Sequence, residues 1–250
     1  MTSGSGGGRS RDVTSGSGSD RSRDVTSGSG SGRSRDQAVV TAAVLNYEAG
    51  NVRSAQRALL RAGADATITG DAADAARADL LVVPGVGHFG QCVRHFREAG
   101  FEALVRRRLD DRRPLLGICV GMQILYAGSD EDPRAEGLGV LPGHVRRLPG
   151  DVVVPHMGWD VVRVVRDDPA VAGLHGRRCY FTHSYYADPA DDAHVIAVCD
   201  YGPGFPCVVR TGSALGLQFH PEKSSDVGAR MLRDLVAAVA AGRVGIEAAS

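Results

Sequence analysis

The chain has 250 residues, a formal net charge of zero and 23% charged residues. Because there is no net charge, bulk electrostatics gives no reason to expect nucleic acid as a partner. No run of about twenty apolar residues occurs, which argues against a membrane-spanning helix. The first positive charges are not followed by an apolar stretch, so we expect no secretory signal. The five cysteines are odd in number and scattered, which favours a reducing cytoplasm over a disulfide framework. No pair of them has zinc-site spacing, so we expect no metal and no other cofactor.

Residues 1–36 consist mainly of Gly, Ser, Arg and Asp. An eleven-residue segment, 9–19, recurs unchanged as residues 21–31, and a third copy begins at Arg33 and breaks off at Gln37. Such a composition buries too little apolar surface to offset the entropy of ordering the chain. The arginines alternate with aspartates and no aromatic residue is present for stacking on bases. The composition therefore predicts a disordered, solvated tail, followed by one domain over residues 37–250.

Strands and helices alternate through the first half of that domain. Residues 38–45 form a continuous apolar run, typical of a strand buried on both faces. The predicted elements that follow are a helix over 51–62, a strand over 65–69, a short Ala/Asp-rich helix, a strand over 80–83, helices over 91–99 and 102–109, and a strand over 115–118. This alternation indicates a mainly parallel sheet.

The second half of the domain changes to short strands separated by turn residues. They are predicted over 152–154, 161–165, 178–182, 195–199, 206–210 and 214–219, and a helix over 227–241 closes the fold. We interpret these strands as an antiparallel or mixed extension of the sheet. The class predicted is therefore an α/β fold with a mainly parallel central sheet extended by antiparallel strands.

Gly117-Ile-Cys-Val-Gly121 follows a buried strand and precedes an apolar helical stretch over 120–127. A nucleophile flanked by glycines at a strand-to-helix corner is the pattern of a nucleophile elbow, in which a sharp turn presents the side chain at the strand's end. The backbone N–H groups beyond the corner favour a thiolate. An isolated buried cysteine is usually a packing residue, but this context predicts that Cys119 is a nucleophile. The other four cysteines are expected to be packing residues.

His220-Pro-Glu222 lies just past an apolar strand. In extended chain, His220 and Glu222 project to the same side, and Pro221 biases His220 toward extended geometry. The carboxylate can then hold one imidazole nitrogen while the other faces the thiol, as in a catalytic triad. Alone this tripeptide fits a surface turn equally well, but with the elbow it predicts the base and its orienting group. Among the other histidines, His183 is the most attractive candidate, and we interpret it as a hydrogen-bonded structural residue.

Pro84-Gly-Val-Gly87 directly follows the strand over 80–83. Glycines there free the backbone to turn an N–H toward developing negative charge. An ordinary turn is the alternative, but ligands bind at the strand ends of parallel sheets. We therefore predict an oxyanion site from Gly85, Val86 and Gly87, together with Val120 beyond the elbow.

These three segments, in this order, resemble the class I glutamine amidotransferases. Within that family, the segments 46–54, 155–159 and 180–185 resemble the glutaminase subunits of imidazole glycerol phosphate synthase, over about residues 39–240. The resemblance implies a flavodoxin-like three-layer sandwich that hydrolyses glutamine through a γ-glutamyl thioester on Cys119. Ammonia would pass to a (β/α)₈-barrel cyclase, in a heterodimer that makes imidazole glycerol phosphate and aminoimidazole carboxamide ribonucleotide for histidine biosynthesis.

The same resemblance assigns roles to residues outside the triad. Gln123, Ser184 and Tyr185 would hold glutamine. The residues implied at the partner interface are Asn51, Arg53, Pro155, Met157, Trp159, Tyr180 and Lys223. Asn46-Tyr47-Glu48 stands where the family usually has Asp-Tyr-Gly. This departure leaves the triad residues in place but leaves the geometry of the first loop open.

Three alternatives stay open from the sequence. Another class I amidotransferase or a γ-glutamyl hydrolase would share the elbow and the His-x-Glu segment, but would not be expected to carry the other motifs. A non-catalytic scaffold subunit would need no triad, yet all three residues are present. A cysteine peptidase is the third, and no segment of the sequence indicates a polypeptide-binding cleft.

Overall fold

A computed structural model of the chain describes residues 39–244. The predicted tail, residues 1–36, lies outside that range. The strands, in chain order, are β1 (Thr41–Leu45), β2 (Asp65–Thr69), β3 (Leu80–Gly85), β4 (Leu115–Cys119), β5 (Gly143–Arg147), β6 (His156–Val164), β7 (Arg177–His183), β8 (Tyr185–Pro189), β9 (Val195–Cys199), β10 (Phe205–Thr211) and β11 (Ala214–Leu217). The helices are α1 (Val52–Arg61), α2 (Ala72–Arg77), α3 (Phe89–Glu98), α4 (Phe101–Asp110), α5 (Val120–Gln123) and α6 (Ser225–Ala240).

Nine strands form one sheet in the order β2-β1-β3-β4-β11-β10-β9-β6-β7. The first five are parallel, and the last four continue the sheet in antiparallel fashion. This confirms the predicted α/β class and the antiparallel extension. The three adjacent strands β3, β4 and β11 are apolar at every position and are buried throughout, as strands covered on both faces must be.

Helices cover the parallel part of the sheet in two groups. Helix α1 packs against α6, and α4 packs against α2 and α3. Strands buried on both faces need an apolar layer on each side, and the two helix groups supply these layers. Within residues 39–244, no helix is long and apolar enough to cross a lipid bilayer.

Three local predictions were wrong. Residues 152–154 form bends and irregular chain rather than a strand, and the strand predicted over 161–165 begins earlier, at His156. The helical stretch predicted over 120–127 is α-helical only in α5, after which the chain turns through i→i+3 hydrogen bonds such as Tyr126 N to Gln123 O at 3.0 Å. No sequence pattern predicts β5 and β8, which pair as a separate two-stranded sheet. This pairing depends on the tertiary fold, because almost 40 residues of chain separate the two strands.

Candidate active site

The elbow forms where β4 meets α5. Cys119 is the last residue of β4 and has φ +54° and ψ −119°, a conformation that costs a non-glycine residue roughly 1–3 kcal/mol. The turn is tight enough that Gly121 lies against β3. A Cβ on Gly121 would stand 2.0 Å from the Val83 carbonyl oxygen, and one on Gly85 would stand 2.2 Å from the Gly121 nitrogen. Two glycines facing each other therefore let the elbow and the end of β3 pack backbone to backbone.

The neighbouring strand β11 ends beside the elbow, and the segment that follows it carries the predicted base. Nδ1 of His220 lies 2.8 Å from Oε1 of Glu222, and both side chains are almost completely buried. The backbone N–H of His220 donates to the Tyr180 carbonyl at 3.0 Å, and the Ser224 hydroxyl donates to the His220 carbonyl at 2.7 Å. Strand β7 and the turn after β11 therefore fix the main chain that carries the imidazole.

The second imidazole nitrogen is placed to act on the thiol. Nε2 of His220 is buried and makes no hydrogen bond of standard geometry within residues 39–244. Burial lowers the pKa of His220, but the Cys119 sulfur and the Glu222 carboxylate raise it more, to about 9. At neutral pH the imidazole therefore carries a proton that it can give to a leaving group.

Gln218 belongs to the same segment and was not predicted as a site residue. It is completely buried, and its Nε2 lies 3.7 Å from the Cys119 sulfur. Its Oε1 accepts from Nε2 of Gln123 at 3.0 Å, and that amide also donates to the Tyr185 carbonyl at 2.8 Å. The two glutamines thus connect the thiol to the wall formed by Tyr185.

A cavity of about 450 Å³ opens directly over the thiol. Its lining residues are Asn51, Val86, Gly87, Cys119, Val120, Gln123, Glu131, Pro155, Thr182, His183, Ser184, Tyr185 and Lys223. Ten of these thirteen were among the predicted site residues. A pocket of this size, with a thiol at its base, suits a small polar substrate.

Glu131, which the sequence did not single out, supplies a carboxylate on the cavity wall. It follows a turn held by the Ser129 hydroxyl, and its Oε2 accepts from the backbone N–H of Phe89 at 2.7 Å. No recognisable motif surrounds it in sequence, so only the folded chain reveals it. A carboxylate at this position can receive a substrate's ammonium group.

His183 also lines the cavity, and both of its ring nitrogens have protein partners. Nδ1 lies 2.8 Å from the Tyr185 carbonyl oxygen, and Nε2 lies 3.1 Å from Nδ1 of His156. Burial lowers the pKa of His183 to about 3. A neutral histidine with both nitrogens engaged fits the structural interpretation made from the sequence.

The predicted oxyanion residues meet the cavity in part. Val86, Gly87 and Val120 line it, whereas Gly85 lies behind them against Gly121. The backbone N–H of Val86 makes no backbone hydrogen bond within residues 39–244. It is therefore available to a ligand, as an oxyanion donor must be.

The residues predicted at a partner interface lie partly on the cavity wall and partly outside it. Asn51, Pro155 and Lys223 lie on the cavity wall, and Nζ of Lys223 stands 5.7 Å above the Tyr180 ring. Met157 and Trp159 lie outside the cavity on β6, with 65% and 44% of their surface exposed.

Trp159 contacts the edge of the Tyr180 ring, with centroids 5.9 Å apart. Arg53 is exposed on α1 and does not reach the cavity. Trp159 therefore connects to the cavity wall through Tyr180 and Lys223.

The first loop has a backbone conformation that favours glycine at a position where no glycine is present. Glu48, which stands where the family usually has glycine, has φ +62°.

Within residues 39–244, no three His, Cys, Asp or Glu side chains form a group that could hold a metal ion.

The family model for glutamine amidotransferase class-I matches residues 43–239. The chain belongs to this family. A glutamine amidotransferase acts on the side-chain amide of glutamine. The cavity over Cys119 suits a nucleophilic attack on that amide carbon.

Relatives extend the similarity to nearly their whole length. The imidazole glycerol phosphate synthase subunit HisH of Halobacterium salinarum is 46% identical over 210 residues, which cover 80% of this amidotransferase and 94% of that relative. The corresponding protein of Syntrophotalea carbinolica is 41% identical, over 76% of this chain and 97% of its own.

Solved structures agree on the fold. A glutamine amidotransferase crystal structure has 25% identity and a TM-score of 0.64, covering 80% of this chain and 98% of that chain. A GMP synthase component from Thermoplasma acidophilum, with 20% identity and a TM-score of 0.62, shares the fold over 82% of this chain and 96% of its own.

Proposed function

We propose that this amidotransferase is the glutaminase subunit of a cytoplasmic imidazole glycerol phosphate synthase. It would deliver ammonia to a (β/α)₈-barrel cyclase in a heterodimer. The observation that carries the proposal is the 46% identity to the Halobacterium protein over 94% of that protein's length. The exposed Met157 and Trp159 beside the cavity support a partner surface at this place, because contiguous exposed apolar side chains mark interaction sites.

The chemistry begins with the Cys119 thiolate attacking the γ-amide carbon of glutamine. The C–S bond forms, and negative charge develops on the amide oxygen, which the N–H groups of Val86 and Val120 stabilise. His220, protonated at neutral pH, gives its proton to the leaving nitrogen. The C–N bond then breaks and ammonia departs, leaving a γ-glutamyl thioester. Glu222 holds the imidazole at Nδ1 and favours its charged form.

Water completes the cycle. Neutral His220 takes a proton from water, whose oxygen attacks the thioester carbon. The C–S bond breaks, glutamate leaves, and the thiolate and imidazolium are restored. Gln123, Ser184 and Tyr185 position glutamine, and Glu131 receives its α-ammonium group. All four line the cavity.

The first experiment measures glutamine hydrolysis by the chain alone, with a candidate cyclase, and with that cyclase plus its ribonucleotide ligand. We expect slow hydrolysis alone and acceleration by orders of magnitude in the full complex, because the glycine-rich end of β3 can adopt two backbone orientations. Full activity of the isolated chain would contradict the coupling and favour a γ-glutamyl hydrolase. Absence of hydrolysis under every condition would favour a scaffold role.

Cys119→Ala tests the nucleophile. It should abolish glutamine hydrolysis while the complex still uses added ammonium salts, because the two reactions occur in different subunits. Hydrolysis that persists in this variant would contradict the thioester mechanism.

Val86→Pro tests the oxyanion donor, because proline lacks the N–H and has a side chain of similar size. Loss of one such donor costs roughly 100- to 1,000-fold in turnover. Proline also restricts Gly85, so alkylation of Cys119, melting temperature and partner affinity must be measured on the same variant. Wild-type turnover by Val86→Pro would leave Val120 as the only donor.

A further inference from the structure

The peptide between Gly85 and Val86 lies between two carbonyls that are each held by a side chain. The carbonyl of Pro84, before it, accepts a hydrogen bond from the Tyr47 hydroxyl. The carbonyl of Val86, after it, accepts from the Cys92 thiol at 3.5 Å. The N–H between them makes no backbone hydrogen bond within the described range. The chain is thus fixed on both sides of a peptide whose N–H is left for a ligand.

Tyr47 and Cys92 are themselves held firmly. Tyr47 is buried in the loop after β1, and its ring meets the Phe96 ring edge to face at 5.1 Å. Cys92 and Phe96 lie four residues apart on α3 and are both buried, so one helix supports both contacts.

Both groups are also protonated donors at neutral pH. Burial raises the pKa of Tyr47 well above its usual value and raises the pKa of Cys92 to about 12. A neutral phenol and a neutral thiol can each donate one hydrogen bond.

We propose that Tyr47 and Cys92 are positioning residues that hold the Val86 peptide at the cavity over Cys119 by fixing the carbonyls on either side of it. The inference rests on the oxyanion role of Val86 in the proposed function. The peptide can turn about the ψ torsion of Gly85 and the φ torsion of Val86 while the neighbouring peptides stay in place. The two donors therefore fix where this peptide lies and leave it able to take the two orientations on which activation depends. Glycine at position 85 adds no steric barrier of its own, so the restraint comes from these two donors.

Tyr47→Phe is the main test, because it removes the donor and keeps the ring against Phe96. In the complex with the cyclase and its ribonucleotide ligand, we expect kcat for glutamine hydrolysis to fall roughly five- to tenfold, the worth of one hydrogen bond. KM should stay within about twofold, because the oxyanion forms only after glutamine binds. Tyr201→Phe is the matched control: its hydroxyl donates to the Val153 carbonyl at 2.6 Å, away from this strand, and kcat should not change.

Alkylation separates positioning from a general disturbance of the site. Iodoacetamide reacts with Cys119 by displacement at a saturated carbon and forms no oxyanion, so its rate should be unchanged in Tyr47→Phe. Equal losses in alkylation and in hydrolysis would overturn the proposal, because they would indicate a damaged thiol environment.

Cys92→Ala provides a second test if Tyr47→Phe does not fold. We expect roughly a twofold to threefold fall in kcat, because a thiol is a weak donor, and Cys207→Ala, another buried thiol, is the control. Wild-type or raised kcat in both variants would overturn the inference.

Val86→Pro shows which proposal has failed in that case. If it abolishes turnover while Tyr47→Phe and Cys92→Ala do not reduce it, only the positioning role falls. If Val86→Pro keeps wild-type turnover, the oxyanion role falls, and the positioning role falls with it.

Discussion

Gly121→Ala tests the close packing of the elbow against β3. The added Cβ would stand 2.0 Å from the Val83 carbonyl oxygen and 2.9 Å from the Pro84 carbonyl carbon. Real Cβ atoms stay at least 3.0 Å from such backbone atoms, so the two segments must separate by about 1 Å. A displacement of that size near the chemistry costs roughly 100-fold in rate, and overpacking costs about 1–3 kcal/mol of stability.

The assay is glutamine hydrolysis in the full complex, with urea unfolding of the isolated variant. Gly150→Ala is the matched control, because a Cβ there meets no atom within 4 Å. It should leave both quantities unchanged. If Gly121→Ala hydrolyses glutamine at the wild-type rate with unchanged stability, the backbone contact between elbow and strand is not required.

Three further predictions concern stability. Arg108 is buried and donates to three backbone carbonyls, so Arg108→Leu should lower the free energy of unfolding in urea by about 3 kcal/mol. The control is Arg107→Leu at an exposed position, which should change that free energy by less than about 0.5 kcal/mol. Folding raises the pKa of His220 to about 9, so this residue stabilises the fold fully below the pKa that it has in the unfolded chain, and the contribution is lost as pH rises through about 9. The difference in unfolding free energy between wild type and Glu222→Gln should therefore be largest in acid and fade by about pH 9. A difference independent of pH would contradict this linkage. Deleting residues 1–35 should shift the melting temperature by no more than about 2 °C, and a larger loss would show that the repeat contributes to the fold.

The sequence predicted most of the parallel half of the sheet, because strands buried on both faces are continuous apolar runs. It predicted the antiparallel half less well. The pattern places the start of one strand at residue 161, but β6 begins at His156. Its first residues alternate between buried and exposed, and such short alternation is weak evidence until the partner strand β7 is known.

The candidate site was predicted where one short segment carries its own geometry. The elbow needs glycines two positions before and after Cys119, which the sequence shows directly. The extended geometry predicted for His220 and Glu222 was wrong, because Glu222 lies in a 3-10 turn, Pro221–Lys223, that follows extended His220. The two side chains still meet, because they are only two residues apart. The resemblance to the family added Gln123, Ser184 and Tyr185, which local pattern alone would not single out.

What the sequence by itself determined is the set of local conformations: which runs are strands, where the chain turns sharply, and which side chains project together. Only the tertiary structure brought Glu131, His183 and Gln218 to the thiol, and only it placed the Tyr47 hydroxyl on the Pro84 carbonyl. The physical reason is distance along the chain: the Tyr47 contact with Pro84 joins residues 37 positions apart, and the Gln218 contact with Cys119 joins residues 99 positions apart. Such pairs depend on the order in which strands enter the sheet, and no local periodicity records that order.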